Sequence, residues 1–547
     1  MNRKTLPVWD VKTHYRKVQR AVVVLLMLYC CGCYEPARME LWYWHHSYLT
    51  TAESVAASKA LIDRAARAGY TGLALWDSSW TFLSMPGWPS SNVSKLKEVV
   101  NYAVDRGLRV MPVVAPYGRS NDVLKQHPDW AEAQRVTGTR FLVDDAGRAL
   151  IQVKGLNEIA DVAPRALMTA RVNVEPWRQY HIHLAVRTHA FKGMAQLEVD
   201  DGPSSRLDAN LHPAPDQDWT PLDYTFNSAS SSSVSIRAGL FGAHDGELQV
   251  ARFAVEETAL VYVIRRAGTP LRVYDPDHAD TTFEEGRDFD PVYDHKLRAK
   301  PEFTNDNFYD PGPVTIPIGS KLRPGQTLAM DYYAVVPVYD EAVSVCLTDT
   351  AVEQWMVGNA RMSAALVPKG SGLLLSHDEI RQMNSCAECR AKNRTAGALL
   401  AAHTRQLTAK VMPFGPLYIW SDMFDPVHNS RGHYYQVEGT IAESWKGLPA
   451  EVTVMNWNLE HLHTSFVWFS GDDPRQPVAH RQIIAGFYDP PDHDAAAAVR
   501  QEWAAARGVR GVVGTMYTTW TNDYSQLETF AAAARVEWAK YRTSAPR

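Results

Sequence analysis

The chain has 547 residues, 46% of them hydrophobic and 21% charged, with a formal net charge of -5 at pH 7. That length calls for two or three domains, and the composition is globular rather than fibrous or disordered. The mild acidity, without a basic stripe, excludes the electrostatic footprint of a nucleic-acid binder.

Residues 1–33 read as a leader. Arg16, Lys17 and Arg20 precede an apolar run from Ala21 to Cys31, about 11 residues, too short to span a bilayer and suited to a signal peptide. Gly32 before Cys33 has the form of a bacterial lipoprotein cleavage site. The expectation is export to the periplasm or cell surface, with a lipid anchor at Cys33. Simple secretion or an uncleaved anchor are the alternatives.

From Glu40 strands and helices alternate. Glu40 to Trp44 reads as a strand, and Val55, Leu61, Ile62 and Ala65 share one face of a helix over 51–69. Thr50 and Glu53 form a candidate capping box. A second strand runs from Gly72 to Trp76, a second helix from Ser94 to Arg106, and a third strand from Arg109 to Ala115. Residues 34–148 thus read as the first part of a parallel barrel. The rhythm then changes. Short alternating runs (Tyr180 to Arg187, Ala195 to Val199, Ser233 to Arg237, Gly246 to Val255) and turn-rich stretches predict a β-sandwich over 149–259. A second β segment covers 260–342, with a bend at Pro324-Gly325.

Residues 343–547 return to alternation. A helix over 350–366 is followed by five strands: Leu373 to Leu375, Pro416 to Trp420, Glu451 to Trp457, Gln482 to Tyr488 and Gly511 to Trp520. Three strands before the insertion and five after it make a (β/α)₈ TIM barrel, an α/β fold interrupted after its third strand. An open doubly wound sheet is the alternative, but no glycine-rich phosphate loop supports it.

Catalytic residues of such barrels sit at the carboxyl ends of the strands. Here those ends offer Trp44, His45 and His46; Trp76 and Asp77; His377, Asp378 and Glu379; Trp420, Asp422 and Asp425; Trp457; Tyr488 and Asp489; and Tyr517 and Trp520. Cores exclude Asp, so packing alone does not account for the series. Single members have plainer readings. Asp422 and Asp425 could cap a loop, the tryptophans could be packing, and Asp378-Glu379 could begin a helix. The adjacent acids after a buried strand are the main candidates for chemistry. Glu379 would need a raised pKa to donate a proton, which burial and a neighbouring carboxylate supply. A protein nucleophile would need a second carboxyl about 5 Å away, for which Asp422 or Asp489 is available. Outside the leader the cysteines are Cys346, Cys386 and Cys389. Cys386-x-x-Cys389 reads as a local disulfide, with half a metal site as the alternative.

The run CLTDTAVEQWMVGNARMSAALVPKGSGLLLSHDEI resembles a segment of family 20 glycoside hydrolases, the β-N-acetylhexosaminidases. The WSD, FYD and TTW segments are similar in kind to that family's aromatic strand ends. The resemblance implies Glu379 as general acid and Asp378 as holder of a substrate 2-acetamido group whose carbonyl oxygen attacks the anomeric carbon. It implies Tyr488 as donor to that carbonyl, and Trp420, Trp457 and Trp520 as pocket walls. Trp44, His45, Trp76, Asp77, His377, Asp422, Asp489 and Tyr517 join them as expected substrate contacts. The first strand, WYWHH, lacks the Asp and Arg that usually bind the sugar in that family. The insert, with DWTPLDYTFNS, resembles carbohydrate-binding jelly rolls. The expectation is an exported hydrolase acting on an oligo- or polysaccharide or glycoconjugate, with N-acetylhexosamine-containing glycans as the candidate class, without a cofactor or a metal. A glycan-binding surface lipoprotein and a metal-dependent hydrolase using His377, Asp378 and Cys386 are the alternatives.

Overall fold

The computed structural model describes residues 38–544 apart from 86, 153–156, 159–163, 305–307 and 490–493. The expected leader and Cys33 lie outside the described residues. Eight parallel strands close a barrel in chain order. They are β1 (Glu40–Ser47), β2 (Gly72–Asp77), β3 (Arg109–Val114), β4 (Leu373–Leu375), β5 (Leu417–Trp420), β6 (Thr453–Asn456), β7 (Gln482–Ile484) and β8 (Val512–Tyr517). Leu41 of β1 lies beside Thr515 of β8, which closes the ring and rules out an open sheet.

The two-residue period of a strand sorts side chains between the barrel interior and the helix layer. Trp42 and Trp44 pack inside with Tyr418, Trp420, Met455, Ile483 and Met516. Tyr43 and His45 between them face the helices. Tyr43 meets Tyr70 edge-on, and His45 Nε2 lies 2.9 Å from Ser58 Oγ on the helix Ala52–Ala68. Thr51, not Thr50, caps that helix, in a reciprocal pair with Ser54 rather than Glu53. At the amino end of the barrel the Glu40 carboxylate accepts from Arg109 (2.8 Å), the Tyr418 hydroxyl (3.0 Å) and the Trp42 indole (3.0 Å), and pairs with Arg481.

Among its described residues the insertion is all β apart from one short helix, His295–Ala299. Four of the expected short strands are segments of two long ones. Gln179–Asp200 and Ser233–Thr258 pair along most of their length, with irregularities at Phe241/His244, Asp245/Glu247 and Ala251/Ala254. They are the centre of one six-stranded sheet with an apolar core that includes Ile182, Leu184, Leu197, Phe226 and Val250. The strand Gln134–Val143, placed by sequence with the first barrel part, instead pairs antiparallel with Thr327–Ala334 in a second six-stranded sheet. Val314–Thr315 pairs with Arg148 and Ala149, so the Pro324-Gly325 bend does not close a hairpin. Among the described residues no helix is long and apolar enough to cross a membrane.

Candidate active site

The ends of β3, β4, β5 and β6 converge on the Asp378-Glu379 pair. After β3 the Tyr117 N–H donates to the Ser376 carbonyl (3.0 Å), tying that loop to the end of β4. Gly118 then packs against the Asp378–Glu379 peptide so closely that a Cβ there would collide with the Asp378 carbonyl oxygen. The Ser376 hydroxyl donates to Asp378 Oδ1 (2.7 Å). Glu379 adopts a left-handed conformation (φ 48), a region that a non-glycine residue occupies only when its surroundings hold it there. One such constraint is its N–H, which donates to Asp422 Oδ2 (2.8 Å). Asp422, fully buried at the end of β5, also accepts from the Asn429 amide (2.9 Å) and the Trp457 indole (3.2 Å).

The three carboxyls sit in different fields. Burial pushes Asp378 up to about 6, assisted by the negative charges of Asp422 and Glu379. Burial also pushes Asp422 up to about 6, against its hydrogen bonds from the Glu379 N–H, Asn429 and Trp457. Burial would raise Glu379 too, but the guanidiniums of Arg381 (2.6 Å) and Arg119 (3.4 Å) overcome it and hold this carboxyl below its usual range. The sequence-based expectation that Glu379 is the raised acid is therefore corrected. The unforeseen element is the pair of arginines, one two residues beyond Glu379 and one from the loop after β3. Arg381 is itself held over the rings of Tyr339 (4.1 Å) and Tyr435 (5.1 Å).

At the carboxyl ends of β1, β5 and β8, Trp44, Trp420 and Trp520 form an aromatic group with ring separations of 5.8, 5.3 and 6.3 Å. Trp44 and Trp420 are buried, while Trp520 is 52% exposed. Trp457 packs edge-on against His428 (4.3 Å) and through Asp422 joins the acid cluster. Trp76 carries His46, not His45, on its ring at 4.1 Å.

Other expected site residues lie elsewhere. Tyr488 is fully buried among the helices, where its hydroxyl donates to Glu502 Oε2 (2.6 Å) and its ring stacks on Tyr517. Tyr517 donates to the Asp523 carbonyl (2.8 Å). Tyr517 is a strand residue of outward parity, and Tyr488, in the segment after β7, turns its ring to the same layer, so neither serves as a substrate contact. His45 is outward for the same reason. Asp77 accepts from the N–H groups of Leu49 and Ser79 (both 2.8 Å) and caps the turn after β2. His377 is buried against Tyr117 and His403. Asp489 accepts from the N–H of Trp520 (2.7 Å) and from the Thr519 and Thr521 hydroxyls. It positions Trp520 instead of supplying a nucleophile. Asp425 accepts from Ser465 (2.6 Å) and Asn458 (3.0 Å) and is structural. Among the described residues no convergent metal-ligating group contains His377 or Asp378. Cys386 and Cys389 are free thiols, so the local disulfide is not formed.

No protein-family model and no curated protein matches the chain. Among solved structures the chain is similar to an N-acetyl-β-hexosaminidase of Streptomyces plicatus (12% identity, TM-score 0.36, 93% of this chain and 64% of that one). It is similar to a GH20 β-N-acetylhexosaminidase of Streptomyces coelicolor A3(2) (12%, 0.36, 93% and 65%). A rhamnosidase of Novosphingobium sp. PP1Y also resembles it (10%, 0.34, 93% and 60%). The chain thus spans under two thirds of the length of each of these proteins. At such identities and TM-scores the chemistry of the cleft has to be read from its own residues.

Proposed function

We propose that the chain is an exported glycoside hydrolase acting on glycans, with Asp378 as proton donor and Glu379 as the ionised carboxylate of the pair. The observation that carries this reading is the split between two adjacent carboxyls. One is raised to about 6 by burial and like charge, and the other is held down by two guanidiniums. Neighbouring carboxyls pushed apart in this way divide acid and carboxylate roles between them. Asp378 gives its proton to the glycosidic oxygen as the bond from that oxygen to the anomeric carbon breaks. The Glu379 carboxylate faces the positive charge that develops on the sugar ring. Water then adds to the anomeric carbon, and its released proton returns to Asp378. These roles exchange those implied by the family resemblance. The Trp44, Trp420 and Trp520 group supplies an apolar wall for a pyranose face or an acetamido methyl. With Tyr488 in the helix layer, the donor expected for an acetamido carbonyl is not at this mouth.

A panel of aryl glycosides with and without a 2-acetamido group tests the reading. Turnover by the intact chain, lost in Asp378→Asn for members whose leaving group needs a proton, is the expected result; no hydrolysis of any member overturns it. The double arginine clamp on Glu379 favours a second reading, a glycan-binding protein without turnover. Saturable glycan binding with no product would select it. The leader supports export to the envelope with Cys33 lipidated, which mass spectrometry of the mature amino terminus tests.

A further inference from the structure

The loop that leaves β4 carries Glu379 and Arg381 and then two cysteines. Cys386 caps the short helix Ala387–Arg390, and Cys389 lies within it. Two further segments reach the same spot from either side of the insertion. Ala131 and Val345 form an antiparallel bridge. The Glu132 N–H donates to the Ser344 carbonyl (2.8 Å), and the Cys346 N–H to the Trp130 carbonyl (2.9 Å). Glu132 and Cys346 are thereby set beside the cysteine pair.

The sulfur of Cys346 lies 3.6 Å from that of Cys386 and 3.5 Å from that of Cys389. Glu132 Oε2 lies 3.7 Å from Cys389 Sγ. Ligand atoms of all four residues fall within 4.8 Å of one another. The three cysteines are wholly buried and Glu132 is 2% exposed. A tetrahedral ion with metal–sulfur bonds of about 2.3 Å separates its thiolates by about 3.8 Å, close to the spacing seen. Any disulfide here would leave an odd thiol and a buried carboxylate facing it.

The surroundings fit a bound cation. Glu132 Oε1 accepts from the Ser385 N–H (2.7 Å), the Ser385 hydroxyl (2.9 Å) and the Cys386 N–H (2.9 Å), which orients the other oxygen toward Cys389. The Thr348 hydroxyl is 3.1 Å from Cys389 Sγ. Three thiolates and a carboxylate around a dication leave two net negative charges. The Arg266 guanidinium lies beside this cluster and pairs with Glu388, whose Oε1 is 3.0 Å from Cys346 Sγ. We propose that Glu132, Cys346, Cys386 and Cys389 hold a divalent ion of the zinc class. Four protein ligands complete a tetrahedral shell, so the ion is structural and takes no part in hydrolysis. It joins the chain entering the insertion, the chain leaving it, and the loop that carries Glu379. Each thiol loses its proton to solvent as the ion binds. The inference does not depend on the hydrolase reading.

The test uses the full chain, purified without chelator, with metal analysis, thiol alkylation and cobalt(II) exchange. One zinc per chain is expected, with the three thiols protected from alkylation until a chelator is added. Cobalt should give an intense thiolate-to-cobalt charge-transfer band. Glu132→Gln should keep that band but hold the metal about tenfold more weakly. A metal-free chain with two of these cysteines disulfide-linked would overturn the proposal, as would a reduced chain that takes up no cobalt. Because the unsubstituted chain decides the matter, a variant that fails to fold leaves the result intact.

Discussion

Asp378 is placed against its own ionisation. Its carboxyl titrates at about 6 in the fold against 3.8 when unperturbed. The native state therefore binds this proton more tightly than the unfolded chain does. Stability falls as pH rises through that window, and the full penalty is present at pH 7. Asp378→Asn is expected to lower kcat/KM by about 10²- to 10⁴-fold on substrates whose leaving group needs protonation. The same variant should raise stability at pH 7 by about 1–2 kcal/mol, allowing for the partial exposure of the side chain. Denaturant unfolding of both proteins at pH 5 and pH 7.5 checks this, since the gain should shrink at the lower pH. Arg381 makes the opposite case. It is 3% exposed and paired with a Glu379 carboxylate mostly withdrawn from water. Arg381→Ala should destabilise the fold by about 3 kcal/mol, because it leaves a buried charge with only the distant half of its clamp. Trp520 stands apart from both. Half exposed at the rim, it can be removed with little loss of stability. Trp520→Ala should weaken glycan binding about tenfold, the loss of one aromatic stacking surface, which titration calorimetry reads directly.

Among the elements, the strand ends decide what each residue does. The order and number of the barrel strands were readable from apolar runs broken by helical periods, because buried parallel strands are written as continuous Val, Leu and Ile. The exact parity at each strand end was not. A one-residue step moves a side chain from the barrel to the helix layer. Thus Tyr517 and His45, expected at the mouth, lie behind it, as does Tyr488 beyond the end of β7, while Trp44, Trp420 and Trp520 do meet there. The electrostatics of the Asp378-Glu379 pair were equally hidden. Of the residues that set them, Arg381 is local but its aim at Glu379 is set by the fold, and Arg119 becomes a neighbour only when the β3 and β4 loops meet. Gly118 marks that meeting, since any side chain would strike the Asp378 carbonyl. Gly118→Ala should displace the Asp378–Glu379 peptide and cut activity at least tenfold. Its cost in stability should be about 1–3 kcal/mol, that of an overpacked site. At the other end of the barrel, burial opposes ionisation of Glu40, but Arg109 and Arg481 hold its carboxyl below 4.5. Its contribution is present above the unfolded value and lost as pH falls through the folded one. Glu40→Gln should accordingly lower stability at pH 7 by about 1–2 kcal/mol, with the difference from the parent vanishing in acid.

Across the whole molecule, the insertion touches the surroundings of the candidate site through Asp208 and the Arg206 carbonyl. The Tyr435 hydroxyl donates to Asp208 Oδ2 (3.4 Å), and the Gln436 amide donates to the Arg206 carbonyl (2.7 Å). Tyr435 in turn lies under Arg381, which holds Glu379. The sandwich thus braces the acid cluster from outside the barrel, a link between distant stretches of chain that no local pattern could announce. The central claim is that a barrel cleft divides acid and carboxylate roles between Asp378 and Glu379. Leaving-group dependence tests it most directly, because a dinitrophenyl glycoside needs no protonation and an alkyl glycoside does. Asp378→Asn should hydrolyse the dinitrophenyl substrate at near the parent rate and lose the alkyl one, whereas Glu379→Gln should lose both. If Glu379→Gln is the variant that spares the dinitrophenyl substrate, or if the parent chain cleaves neither, the assignment is wrong.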